Sequence, residues 1–167
     1  MLKKLKYFFL LALTYFVLYS CKPGGLHCSF DACSTVAPVA EIQNVQDYIL
    51  NHSLVATQHC SGLFYRIENA GSGAAPGPCS NLTITYNTYF FNGSTLEQQT
   101  TPVGISLGVS IRAMRIAMPL IKTGGRIVFY VPPSLAYGAQ EVRDQSGNVV
   151  IPANSYIVYE MNLVSVQ

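Results

Sequence analysis

The rhythm of apolar and polar positions changes several times along the chain, and each rhythm predicts an element. Residues 39–51 place Ile42, Val45 and either Tyr48 or Ile49 on one face, with Glu41, Gln46 and Asp47 between them. That spacing predicts a short amphipathic helix, able to pack on its own domain or on a partner. From residue 62 the period shortens. Residues 62–67 read as a strand, and residues 82–90 alternate apolar or aromatic with polar side chains, as a half-buried strand does. Gly- and Pro-rich residues 69–78 form the loop between them, and Asn92-Gly93 is a strong turn signal. Residues 103–107 give another short strand. Residues 111, 114, 117, 118 and 121 then form a helical stripe, ended by Lys122 and the Gly124-Gly125 pair and interrupted at Pro119, which lacks a backbone donor. Residues 127–131 read as a strand stopped by Pro132-Pro133, and residues 156–166 as a terminal strand. No internal repeat is visible. Several antiparallel strands with one short helix inserted late define an α+β domain.

The N-terminus follows a different logic. Lys3, Lys4 and Lys6 precede an apolar run over residues 7–18, which reads as a secretory signal. The run is shorter than the roughly 20 apolar residues a membrane span needs. Leu18-Tyr19-Ser20-Cys21 resembles the lipobox of bacterial lipoproteins, which implies that residues 1–20 are removed and that Cys21 carries lipid. Cleavage there leaves 147 residues and takes the formal charge from +2 to −1, so the positive charge belongs to the signal. The composition excludes two classes. With 11 Tyr and 8 Phe the chain is no disordered polar segment, and without a basic tract beyond its first residues it is no nucleic-acid binder. Residues 21–38, rich in Gly, Ser and Pro, read as a flexible tether, and residues 39–61 as the N-terminal helix and a linker.

With Cys21 on lipid, Cys28, Cys33, Cys60 and Cys79 remain, an even number that suits disulfides in an exported chain. Four cysteines allow three pairings, and the sequence does not choose among them. Neighbour pairing, Cys28–Cys33 and Cys60–Cys79, is the preferred expectation. A metal site is not expected: there is no close Cys-x-x-Cys pair, and His27, His52 and His59 lack a zinc spacing.

Residues 117–126 (Ala-Met-Pro-Leu-Ile-Lys-Thr-Gly-Gly-Arg), 131–138 (Val-Pro-Pro-Ser-Leu-Ala-Tyr-Gly) and 150–154 (Val-Ile-Pro-Ala-Asn) resemble successive signatures of FKBP-type peptidyl-prolyl cis-trans isomerases. Thr85-Tyr86, Asn92-Gly93 and residues 107–111 fit upstream in the same order. The resemblance covers about residues 62–167. It implies a twisted antiparallel sheet wrapped around one short helix, and a chemistry with no cofactor, metal or nucleophile. Such a site stabilises a twisted X-Pro amide in an apolar pocket with two or three aimed donors. On the family's pattern Tyr137 supplies a hydroxyl donor, Ile151 a backbone N–H, and Glu97 the pocket's acid. Tyr86, Leu96, Val103, Ile111, Met114, Val150 and Tyr159 form the apolar walls.

Several of those positions depart from the pattern. Met114 stands where most members have Trp, Leu96-Glu97 where they have Phe-Asp, Val103 at a second Phe, and Tyr159 at a Phe. The resemblance therefore implies an isomerase assisting the folding of exported proteins, lipid-anchored in the envelope of a diderm bacterium at its outer membrane. Its partners would be proline-containing exported polypeptides and the membrane. The departures favour an alternative, a binding module of the same fold serving as a scaffold subunit in an envelope machine.

Overall fold

A computed structural model describes residues 28–167. The expected signal and the lipidated Cys21 lie outside the described residues. In chain order the elements are helix α1 (Val39–Asn51), strands β1 (Thr57–Gln58), β2 (Phe64–Asn69), β3 (Asn81–Phe90) and β4 (Thr95–Ser106), helix α2 (Arg112–Ala117), and strands β5 (Arg126–Val131), β6 (Val142–Arg143), β7 (Val149–Ile151) and β8 (Ile157–Val166). Six strands form one antiparallel sheet in the order β1-β2-β5-β8-β3-β4, and β6 pairs with β7 as a separate hairpin. The α+β class expected from the pattern is the one observed.

Central β5 shows why the sheet holds together. Five of its six residues are buried, because both faces are covered. Ile127, Phe129 and Val131 point toward α2 and pack with Leu82, Ile84, Ile116 and Ala117. Val128 and Tyr130 point the other way and pack with Val45 and Ile49 of α1. A strand covered on both sides loses the alternation of a half-buried one and reads as a continuous apolar run. The first helix therefore packs on its own domain. Each fully buried side chain of this kind contributes about 1.5–3 kcal/mol.

The late helix is shorter than its stripe. Its α-helical part ends at Ala117, and Met118–Leu120 continue as a 3-10 turn. Pro119 is the cause, since it has no N–H for the next α-helical bond. The following Lys122–Gly125 segment locks against a neighbouring loop and strand β8: Lys122 N–H donates to Ala70 O at 2.8 Å and Gly124 N–H to Leu163 O at 2.8 Å. A side chain at Gly125 would meet the Lys122 carbonyl at 2.7 Å, so glycine is required there.

Two expectations about the N-terminal segment are corrected. The disulfides are Cys28–Cys79 and Cys33–Cys60, with Cα separations of 6.0 and 5.5 Å, and not the neighbour pairs. The segment lies across the domain, so each of its two cysteines meets a different part of it. The tether expected over residues 21–38 also does not extend through Cys28–Pro38. Besides the two covalent bonds, Phe30 lies under Arg112 and Arg115 of α2, with guanidinium carbons 4.8 and 4.1 Å from its ring centre. Arg112 donates to Asp31 O at 2.7 Å and Ser34 Oγ at 2.8 Å, and Ala37 is buried with its N–H on Ser61 O at 2.9 Å.

Candidate active site

A cavity of about 440 Å³ opens between the sheet, α2 and the β6–β7 hairpin. Tyr86 and Thr88 reach it from β3, Leu96 and Glu97 from β4, Met114 from α2 and Tyr159 from β8. Val142, Val150 and Ile151 come from the hairpin, and Tyr137 from the segment after the Pro133–Leu135 turn. Local backbone irregularities explain these positions. Tyr86 and Thr88 are two apart on one strand and share a face. Leu96 and Glu97 are adjacent, yet both line the cavity, because the β3–β4 register shifts between Thr88↔Glu97 and Tyr89↔Thr95. A bulge of that kind re-aims a side chain.

A second irregularity separates Val103 from the site. The register jumps from Tyr86↔Gln99 to Ile84↔Val103, which carries Val103 past the cavity to pack against the core beneath it. Ile111 is also not a cavity wall. It caps α2, accepting from Met114 N–H at 3.1 Å, and its side chain packs on the core. The eight other residues expected at the site are brought together there. Thr88 and Val142 were not expected. Thr88 could have been found from its position two residues beyond Tyr86, whereas nothing in the sequence folds the hairpin of Val142 over the opening.

The chemistry of the lining is apolar walls, phenols and one acid. Tyr159 is buried and stacks on Phe129, with ring centres 5.1 Å apart and planes 8° from parallel. Burial first, and then the neighbouring Tyr137 phenol, raise its pKa above the ordinary tyrosine range. Burial, and then hydrogen bonding to Glu97, push Tyr86 up to about 12. Both phenols stay protonated at neutral pH. Thr88 is not free to bind a ligand through its proton, since its hydroxyl donates to Glu97 O at 3.2 Å.

Tyr137 is held by its backbone surroundings. Ala136 and Gly138 N–H donate to Pro133 O at 2.9 and 2.8 Å, Asn154 N–H donates to Gly138 O at 2.8 Å, and Ser134 N–H donates to Glu41 Oε2 of α1 at 2.9 Å. A metal centre does not fit the cysteine region. Cys33, His59 and Cys60 bring ligand atoms within 4.8 Å of one another, but the two sulfurs are bonded together, leaving a single imidazole.

The class defined by this fold and pocket agrees with what the chain resembles among known proteins. The family profile for FKBP-type peptidyl-prolyl cis-trans isomerases matches residues 73–164. The chain belongs to that family. It is 34% identical over 109 residues to the FKBP-type isomerase FkpA of Buchnera aphidicola subsp. Acyrthosiphon pisum, covering 64% of this chain and 43% of the relative. It is 30% identical over 110 residues to the isomerase Mip of Coxiella burnetii, covering 64% of this chain and 46% of the relative. Less than half of either relative's length is thus spanned. The crystal structure of FkpA from Escherichia coli superposes with a TM-score of 0.65 at 25% identity, over 77% of this chain and 60% of that one. A peptidyl-prolyl isomerase from Pseudomonas syringae shares the fold with a TM-score of 0.65 at 21% identity, over 80% of this chain and 99% of that one.

Proposed function

We propose that this chain catalyses cis-trans isomerisation of X-Pro bonds in exported polypeptides and is held in the bacterial envelope by lipid on Cys21. The observation that carries the proposal is the cavity itself, lined by Tyr86, Met114, Tyr137, Ile151 and Tyr159. An X-Pro bond turns slowly because rotation breaks the amide's partial double bond, against a barrier of about 18–20 kcal/mol. The planar amide is the more charge-separated form. Apolar walls that exclude water therefore disfavour it relative to the twisted one. The Tyr137 hydroxyl and the Ile151 N–H hold the substrate carbonyls, and Glu97 orders the Tyr86 phenol at the pocket's edge.

The test is acceleration of X-Pro interconversion by the full chain purified in detergent, on a panel of peptides, with and without a macrolide inhibitor of the family. Inhibitable acceleration supports the enzyme. A folded chain that binds these peptides without accelerating them supports the scaffold reading instead, which the flexible Met114 and Leu96 walls favour over an aromatic floor. For the anchor, Cys21→Ser is expected to release the chain from membranes. Continued tight attachment would point to an uncleaved signal as the anchor.

A further inference from the structure

A second cavity, of about 380 Å³, lies beside the first and has no part in the chemistry above. Phe90, Phe91, Asn92, Ser94, Pro152 and Tyr156 line it. We infer that it is a subsite for the same polypeptide whose proline occupies the first cavity, and that it takes an apolar or aromatic side chain two or three residues from that proline. The inference rests on the isomerase reading.

Two walls run unbroken from one cavity to the other. On β3 the row Tyr86, Thr88, Phe90 shares one face: Thr88 lines the first cavity and Phe90 the second. At the end of β7, Ile151 lines the first and the next residue, Pro152, the second. A two-residue step along a strand is about 7 Å, and an extended ligand advances about 3.3 Å per residue. A chain leaving the first cavity along these walls therefore reaches the second with its second or third residue.

The lining says what kind of residue arrives. Several of its polar groups are already partnered within the lining. Ser94 donates from its N–H and its hydroxyl to Asn92 Oδ1 at 2.9 and 2.7 Å, and the Ser155 hydroxyl donates to Pro152 O at 2.7 Å. Phe90 N–H donates to Ser94 O at 2.9 Å and Phe91 N–H to Tyr156 O at 3.3 Å. The larger part of what is left for a ligand is apolar, the rings of Phe90, Phe91 and Tyr156 and the Pro152 side chain, with the Asn92 amide beside them. They are also fixed in place: Phe91 stacks on Tyr48 of α1 with centres 3.9 Å apart, sits 5.3 Å from the Tyr156 ring, and the Tyr156 hydroxyl accepts from Asn44 Nδ2 at 2.8 Å. No lining residue carries a charge, so the pocket selects for apolar surface. Rigid aromatic walls suit an extended, proline-compatible chain.

The test uses the full chain in detergent and fluorescent decapeptides, each with one X-Pro bond in a Gly/Ser/Ala background. A single Phe is stepped from four residues before the proline to four residues after it. Dissociation constants come from fluorescence anisotropy and kcat/KM from exchange NMR. The expected profile has one maximum, two or three residues from the proline on one side. Its gain is roughly tenfold over Ala, the scale of a well-filled apolar pocket. Ser94→Trp, which fills the cavity, and Phe91→Leu, which keeps apolar packing under α1, are each expected to flatten it, with folding checked by near-ultraviolet circular dichroism. A flat profile in the wild type, or a maximum that survives both substitutions in folded protein, overturns the subsite. A binding maximum without isomerisation leaves the subsite standing and removes the isomerase. Isomerisation with a flat profile does the reverse.

Discussion

Replacing Tyr137 by Phe removes one hydroxyl from the cavity, and with it the polar contact to the neighbouring Tyr159 phenol. The ring stays because its backbone is tied on several sides, through Pro133 O, Asn154 and, by way of Ser134, Glu41. On the proposed reading, what the reaction loses is one donor to a substrate carbonyl. A neutral hydrogen bond contributes about 0.5–1.5 kcal/mol net, and the apolar walls around this one place it toward the upper end. At 1.36 kcal/mol per factor of ten, kcat/KM is expected to fall by roughly 3- to 12-fold. The measurement is the exchange rate of a short X-Pro peptide by NMR, which needs no coupling protease that could digest the variant. Thermal unfolding is followed beside it and is expected to move by no more than about 1 kcal/mol. Unchanged kcat/KM in the folded variant would refute the donor role. A rate loss matched by an equal loss of stability would show that the hydroxyl serves the fold and not the reaction.

Met114→Trp is expected to raise kcat/KM a few-fold, because an open cavity of about 440 Å³ has room for a ring that Met fills loosely; lower activity at normal stability would mean that the pocket is built around Met. Tyr86 titrates at about 12 in the fold and near 10 in the unfolded chain. The unfolded state therefore loses its proton first, and this part of the stability is lost as pH rises from about 10 toward 12. Phenolate absorbance should show that late step, and Glu97→Gln should move it to lower pH; an unmoved midpoint would remove Glu97 as a cause. Reducing the disulfides should lower the melting temperature. Closing loops of 51 and 27 residues stabilises by about 4 and 3.5 kcal/mol taken singly, and by less than the sum because one loop contains the other; a melting temperature indifferent to reductant would contradict this.

The core elements were legible where one physical constraint ruled. The alternation of residues 82–90 and the amphipathic residues 39–51 reappear as β3 and α1 within a residue. Pro119 marks where helical pairing fails. The pocket was legible through the family's motifs for eight positions. Val103 and Ile111 lie outside its lining: a bulge shifts Val103 along β4 and Ile111 stands at the start of α2, placements settled by pairing register and backbone bonds and not by residue type. The hairpin that places Val142 has strands of only two and three residues and turns on Asp144, whose carboxylate accepts from Ser146 and Asn148 N–H at 2.9 Å each. The disulfide pairing depends on where a segment without periodicity crosses the domain. The packing of Phe30 beneath two arginines, the Arg112 bonds to Asp31 and Ser34, and the burial of Ala37 fix that path.

The two disulfides overlap along the chain, since Cys33–Cys60 lies inside the loop closed by Cys28–Cys79. A single protease cut anywhere between Cys28 and Cys79 therefore separates no fragment: one bond or the other still joins both ends. If the lipid is on Cys21 as proposed, six residues, 22–27, are the one stretch between lipid and domain where a lone cut sheds the intact domain from the membrane. Retention at the membrane then depends on how well that short stretch resists proteases, whereas the pocket residues, Tyr86 to Tyr159, all lie beyond Cys79, where neither disulfide rejoins a cut chain.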